Sequence, residues 1–114
     1  MVMTREFDYA DALGALLKPY LPGGYPSARL AASLMDTSER TLARRLAQRG
    51  LRYQAVIDKL RFQRARNLLR DTVEPINEIA RGVGFDDPAH FARMFHRIAG
   101  VSPRAFRRMA RRGA

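Results

Sequence analysis

Arginine is the residue type in this sequence best suited to chemistry with a partner, and it is unevenly distributed. The 114 residues contain 21 Lys and Arg against 11 Asp and Glu, a net charge of +10, and the only lysines are Lys18 and Lys59. Residues 1–36 carry a net charge of −1, whereas residues 37–114 carry +11. A guanidinium group offers a rigid fork of donors to phosphates and carboxylates. The basic part therefore predicts a polyanionic partner, with a solvated basic surface as the alternative.

No pattern typical of catalysis or metal binding accompanies these arginines. The chain has no cysteine, and His90 and His96 are six residues apart, which puts them on different faces of a helix. Glu74 and Glu78 fall on an exposed helical face, and the serines are typical of helix caps or surface positions. We expect no enzyme activity, no metal and no cofactor. No apolar run is long enough to span a membrane, and the composition suits the cytoplasm.

The elements that position these residues are helices, because apolar residues recur at helical spacing and no strand-like alternation persists. The pattern predicts helices over residues 8–19, 27–35, 39–49 and 53–70, then a short helix from Pro75, one capped by Asp87, and a last one from Ser102-Pro103. Within them the predicted core includes Tyr9, Ala12, Leu13, Leu16, Leu17, Leu42, Leu46, Phe91, Phe95 and Ile98.

The second half of the chain repeats the pattern of the first. At offsets of 48 to 50 residues, the matched pairs are Ala32 and Ala80, Asp36 and Gly84, Ser38 and Asp87, Leu42 and Phe91, Arg44 and Arg93, Leu46 and Phe95, and Gly50 and Gly100. Each half is a helix, a tight turn and a capped helix, which is typical of the helix-turn-helix unit that places its second helix in the DNA major groove. Asp36 replaces the glycine that such a turn favours, and we expect it to adopt the left-handed conformation at some cost.

The repeat predicts an all-α fold of about seven helices, with two helix-turn-helix subdomains joined by a long central helix. We assign residues 1–7 to a disordered or artificial start, 8–51 to the first subdomain, 52–71 to the connecting helix, and 72–114 to the second subdomain with its basic tail. About 18 residues give a connecting helix of roughly 27 Å. With its end caps it could separate the two recognition helices by about 34 Å, one turn of B-DNA. A monomer could then bind two successive major-groove segments.

Four stretches of the sequence resemble the AraC/XylS family of bacterial transcription regulators: LRFQRARNLL at 60–69, PINEIA at 75–80, VGFDDPAHFARMF at 83–95 and GVSPRAFR at 100–107. The resemblance implies a seven-helix, sequence-specific DNA-binding domain of a regulator that is more often an activator than a repressor. It also implies RNA polymerase as a partner, and an N-terminal effector-sensing or dimerisation domain that this chain lacks.

The resemblance also assigns residues to the DNA interface. The base-facing candidates are Arg40, Ala43 and Arg44 on the first recognition helix, and Ala89, His90 and Arg93, with Pro88 and Ala92, on the second. Helix N-termini and the arginines that flank the recognition helices indicate the phosphate-contacting candidates, which are Arg52, Ser102, Arg104, Arg107 and Arg108, with Tyr53 beside Arg52. For each arginine of the last helix, a solvated basic face is the alternative. For Arg61, Arg64 and Arg66 on the connecting helix we expect pairing with Asp58 or Asp71.

Two other functions remain open from the residues alone. A basic helical module could bind an acidic protein, but such a face should expose an apolar patch rather than two outward arginines. An RNA-binding protein should expose aromatic side chains for stacking on bases. Here Phe85, Phe91, Phe95 and Phe106 all fall on core positions.

Overall fold

The computed structural model describes residues 8–23 and 26–113, and the predicted start at residues 1–7 lies outside this range. The described helices are α1 (Tyr9–Leu17), α2 (Ala28–Leu34), α3 (Glu39–Ala47), α4 (Tyr53–Asp71), α5 (Ile76–Gly82), α6 (Pro88–Ala99) and α7 (Pro103–Arg112). A 3-10 helix over Lys18–Gly23 follows α1, and the described residues contain no strand. The all-α prediction of about seven helices is confirmed. None of the described helices is long and apolar enough to cross a membrane.

Polar side chains begin most of these helices, because the first backbone N–H groups of a helix have no partner within it. Ser38 Oγ accepts a hydrogen bond from the Thr41 N–H at 3.1 Å, and Asp87 Oδ1 accepts one from the Ala89 N–H at 2.9 Å. Ser102 Oγ begins α7 in the same way. The caps predicted for α3, α6 and α7 are therefore confirmed.

The two helix-turn-helix turns have the same backbone hydrogen bonds at an offset of 48 residues. The Thr37 N–H donates to the Ala32 carbonyl, and the Phe85 N–H donates to the Ala80 carbonyl, each at 2.9 Å. The residue before each donor has a positive φ, 57° at Asp36 and 98° at Gly84. Asp36 is the only non-glycine residue with a positive φ in the described part of the chain. The predicted left-handed aspartate is confirmed.

Two separate apolar cores form, and α4 contributes to both. Its first half supplies Val56, Ile57 and Leu60 to the core with α1, α2 and α3. Its second half supplies Ala65 and Leu69 to the core with α5 and α6. Each unit therefore packs around a different part of one continuous helix.

For two residues, the prediction that they lie in the core is wrong. Leu16 is 42% exposed and Ile98 is 41% exposed. On α1, Gly14 is buried instead, where an added Cβ would lie 3.4 Å from Leu60. On α6, Met94 packs with Phe91 and Phe95, whereas Ile98 lies in the last turn beside an open groove of about 710 Å³ between α4 and α6.

Candidate nucleic-acid interface

Helix α3 presents a short basic face opposite its buried side. Leu42 and Leu46 pack into the first core, and the 3.6-residue period of the helix puts Arg40, Ala43 and Arg44 on its other side. Arg40, Ala43 and Arg44 are all exposed. The predicted base-facing residues of the first unit therefore share one outward surface.

Helix α6 presents a less polar face. Phe91, Met94 and Phe95 are buried, while Pro88, Ala89, His90 and Arg93 are exposed and Ala92 is half-buried. The His90 ring makes an edge-on contact with Phe85, with ring centroids 5.1 Å apart. The exposed His90 ring thus lies against Phe85 in the turn. Arg93 is the one long polar side chain among the predicted base-facing residues of α6.

The arginines fall into two groups, those that pair with other residues of the protein and exposed ones that do not. Arg49, Arg70, Arg81 and Arg97 form ion pairs with Asp8, Asp71, Glu78 and Asp58 respectively. By contrast, several exposed arginines make no hydrogen bond, ion pair or ring contact with any residue that the structure describes. These are Arg40, Arg44, Arg52, Arg93, Arg104 and Arg108. Every arginine predicted to contact DNA, except Arg107, belongs to this second group.

Arg107, one of the predicted phosphate contacts, has partners within the protein that the sequence analysis did not predict. Its Nε donates to the Leu69 carbonyl at 3.0 Å and its Nη2 to the Thr72 carbonyl at 3.2 Å. Arg111 also donates to the Thr72 carbonyl, at 3.0 Å. Burial, followed by the positive charge of Arg111, lowers the pKa of Arg107. Nε and Nη2 of this guanidinium thus bind carbonyl oxygens at the C-terminal end of α4, and its phosphate contact stays a prediction.

The remaining phosphate candidates lie at two helix N-termini. Arg52 precedes α4 and its side chain makes no capping hydrogen bond. Ser102 caps α7, and Arg104 and Arg108 follow it on an exposed face. The Tyr53 hydroxyl donates a hydrogen bond to the Pro26 carbonyl at 2.7 Å, and burial raises the pKa of Tyr53 to about 12.

A cluster on the connecting helix was only partly predicted. Arg61 pairs with Asp58 at 4.0 Å, as expected. Asp71 instead pairs with Arg70, and the pairing expected for Arg64 and Arg66 is wrong, since neither forms an ion pair with a described residue. The sequence analysis missed that Asp58 also accepts a hydrogen bond from Arg97 on α6, at 3.1 Å. It also missed that Arg61 is buried against Phe85. The only sequence signal is the arginine itself at a buried phase, four residues before Ala65 and eight before Leu69.

Other kinds of site find no support in the described residues. They contain no cluster of His, Asp and Glu that could hold a metal ion. Phe85, Phe91 and Phe95 are buried and Phe106 is partly buried, so these phenylalanines are not available to stack on single-stranded bases.

Comparison with known proteins agrees with this geometry. A family model described as a helix-turn-helix domain matches residues 31–109. The chain is 37% identical over 87 residues to the HTH-type transcriptional regulator VqsM of Pseudomonas aeruginosa, covering 76% of this chain and 27% of VqsM. It is 43% identical over 77 residues to the HTH-type transcriptional activator RhaS of Enterobacter sp. (strain 638), covering 67% of this chain and 28% of RhaS. The chain thus spans about a quarter of the length of these relatives.

A solved structure adds a likeness in three dimensions. The DNA-binding domain of the global transcriptional factor AdpA, in complex with a target DNA, superposes with a TM-score of 0.72 at 27% identity, over 92% of this chain and 95% of that one. The family match, the relatives and the doubled helix-turn-helix geometry lead to one assignment. This chain belongs to the AraC family of DNA-binding transcription regulators.

Proposed function

We propose that this chain is the promoter-binding domain of a transcription activator, and that a monomer places α3 and α6 in successive major-groove segments on one face of the duplex. One observation carries the proposal: the arginines without an intramolecular partner include those on the outward faces of α3 and α6 and at the N-termini of α4 and α7. Arginines elsewhere are largely paired with carboxylates or carbonyls.

In the proposed complex, Arg44 and Arg93 bind guanine edges, because their forked donors match the O6 and N7 acceptors of guanine. Arg40, one turn earlier on α3, reads a base at the N-terminal end of the helix. Ala43 and Ala89 contact thymine methyl groups. His90 has the smaller role, since its ring is already held against Phe85.

Phosphate contacts fix the register of the two recognition helices on the duplex. We assign them to Arg52 at the start of α4 and to Ser102, Arg104 and Arg108 on α7. The positive end of each helix dipole adds to the attraction at these N-termini. We leave Arg107 out of this set, because its Nε and Nη2 already bind the end of α4.

The activity of the whole regulator is also a proposal. RhaS is named as an activator, which favours activation through contact with RNA polymerase. Because the aligned segment is about a quarter of VqsM and RhaS, we propose that an effector-sensing or dimerisation domain precedes this one in the complete protein. A regulator that binds chromosomal DNA works in the bacterial cytoplasm.

The test is selection of a preferred duplex from a random library, followed by binding titrations of that duplex at several salt concentrations. With roughly 6–8 phosphate contacts, the slope of log K against log salt should be about −5 to −7. Footprinting should show protection of two adjacent major-groove segments on one face. A slope near zero on every duplex would contradict DNA binding, and protection of a single segment would contradict the use of both units.

A further inference from the structure

We propose that Arg61 is a positioning residue for the second recognition helix, and that with Asp58 it sets how α6 meets DNA. The inference rests on the proposed function, since it concerns how one of the two recognition helices is held. Arg61 lies on α4 and takes no part in the predicted DNA contacts. Its effect on binding would pass through the turn between α5 and α6.

The surroundings of Arg61 are unusual for an arginine. Its side chain lies inside the protein, with the whole residue 3% exposed. The central guanidinium carbon lies 4.3 Å from the centroid of the Phe85 ring. A Cβ added at Gly84 would be 3.4 Å from Arg61 Nη2, so the guanidinium also lies against the turn backbone. A buried cation needs such compensation, and a cation over an aromatic face is worth more once both are removed from water.

The contacts of Phe85 connect the Arg61 guanidinium to the start of α6. The Phe85 ring meets the His90 ring edge-on at 5.1 Å and the Phe91 ring at 5.7 Å between centroids. His90 is a base-facing residue of the first turn of α6, and Phe91 is its first core residue. The Phe85 ring therefore contacts both the Arg61 guanidinium and two residues at the start of α6.

Asp58 holds the other end of the same helix. Its Oδ2 accepts a hydrogen bond from Arg97 Nη2 at 3.1 Å, in the last turn of α6. Its Oδ1 lies 4.0 Å from Arg61 Nη1 and accepts a hydrogen bond from Gln54 at 3.1 Å. The Asp58–Arg61 pair on α4 thus contacts the last turn of α6 directly, through Arg97, and its first turn indirectly, through Phe85. We infer that these two contacts set the position and the tilt of α6 on α4.

Among the described residues, the first unit has no buried arginine behind its turn. The turns repeat at an offset of 48 residues, and 48 residues before Arg61 lies Leu13, a fully buried apolar residue of α1. Thr37 occupies the position that corresponds to Phe85. Around the first recognition helix the guanidinium contacts with α1 are exposed ones, the Arg49–Asp8 pair and Arg45 over the Tyr9 ring. Because no buried guanidinium lies behind that turn, changing Arg61 should affect the two halves of the DNA site differently.

The experiment measures binding of the 114-residue chain to every single-base substitution of its selected duplex. Arg61→Lys keeps the charge beside Asp58 but loses the planar group over Phe85. Arg64→Lys is the matched control, because Arg64 is an exposed arginine of the same helix. We expect Arg61→Lys to reduce base discrimination about tenfold in the half-site bound by α6. Discrimination in the other half, and all binding by Arg64→Lys, should remain unchanged.

If Arg61→Lys fails to fold, Asp58→Asn is the second variant, and base discrimination in each half-site is measured in the same way. It removes the charge that pairs with Arg61 and Arg97, and it should also reduce discrimination only in the α6 half. Unchanged discrimination, or an equal loss in both halves, would overturn the positioning role while leaving DNA recognition intact. If the unaltered chain shows no base preference in any duplex, the proposed function fails and this inference fails with it.

Discussion

A side chain can read a base only if the protein does not already use its hydrogen-bonding groups. Asp58 binds Arg97 and the Leu69 and Thr72 carbonyls bind Arg107. Moving these guanidinium groups to DNA would give up those hydrogen bonds, at a cost of about 0.5–1.5 kcal/mol each. Arg44 and Arg93 face no such cost, because they have no partner among the described residues. At the scale of single residues, intramolecular pairing separates the positioning arginines from those available to DNA.

Arg44→Ala and Arg93→Ala should each lose base discrimination at one base pair, in different halves of the site. A lost bidentate contact to guanine costs about 1–3 kcal/mol and relaxes preference at that position alone. Binding of each variant to a set of single-base substitutions of the selected duplex measures this directly. If either variant weakens all duplexes by one common factor, that arginine is a phosphate contact and the assignment of base recognition is wrong.

Asp36→Gly should stabilise the domain, because Asp36 holds φ at 57° in the first turn and glycine adopts this conformation without steric cost. We expect a gain of about 0.5–1 kcal/mol in the free energy of unfolding. Gly84→Asp is the reciprocal change in the second turn and should destabilise, since φ there is 98°, a conformation that L side chains rarely adopt. Thermal or urea unfolding of both variants tests the pair, and a lower midpoint for Asp36→Gly would contradict the argument.

At the scale of helices, the sequence predicted the features that depend on neighbouring residues, such as the helix caps. Ser38 and Asp87 were identified as caps because a short polar side chain before an apolar helical pattern satisfies free N–H groups. The sequence could not show which helix meets which. Ile98 continues the apolar stripe of α6 but lies beyond the Phe cluster, and Tyr53 and Arg107 bind carbonyls 27 and 38 residues away. Those contacts follow from the packing of α4, which periodicity alone does not give.

The contact between α7 and the end of α4 gives a prediction that separates stability from DNA binding. Arg107→Met removes two hydrogen bonds to carbonyls at the end of α4 and should lower the free energy of unfolding by about 1–3 kcal/mol. The salt dependence of DNA binding should not change.

Arg108→Ala is the comparison, because Arg108 is exposed and has no partner among the described residues. It should leave stability unchanged, weaken binding to all duplexes alike and flatten the salt slope by about one unit. Urea unfolding and salt titrations distinguish the two roles. If Arg107→Met flattened the salt slope and Arg108→Ala lowered the stability, Arg107 would be the phosphate contact and our assignment of the two roles would be wrong.

At the scale of the whole molecule, one helix determines the distance between the units. Helix α4 has 19 residues, about 28 Å at the usual rise, and both cores are built on it. The Asp58–Arg97 pair adds a contact between the first half of α4 and the end of α6. The molecule measures 42 × 39 × 23 Å along its principal axes. The separation of about 34 Å between the recognition helices stays a prediction, and the spacing of the two half-sites on DNA can test it.

Changing the spacing of the two half-sites should show whether α4 acts as a rigid spacer. Inserting five base pairs rotates one half-site by about half a turn of B-DNA, so one unit should lose its contacts and affinity should fall to that of a single half-site. Inserting ten base pairs restores the rotation but adds about 34 Å. A continuous helix shared by two cores cannot extend by that length, so binding should stay weak. Titrations of the three duplexes at one salt concentration make the test, with a duplex carrying only the α3 half-site as the reference. Recovery of affinity at ten base pairs would mean that the units are flexibly linked, and the rigid-spacer prediction would then be wrong.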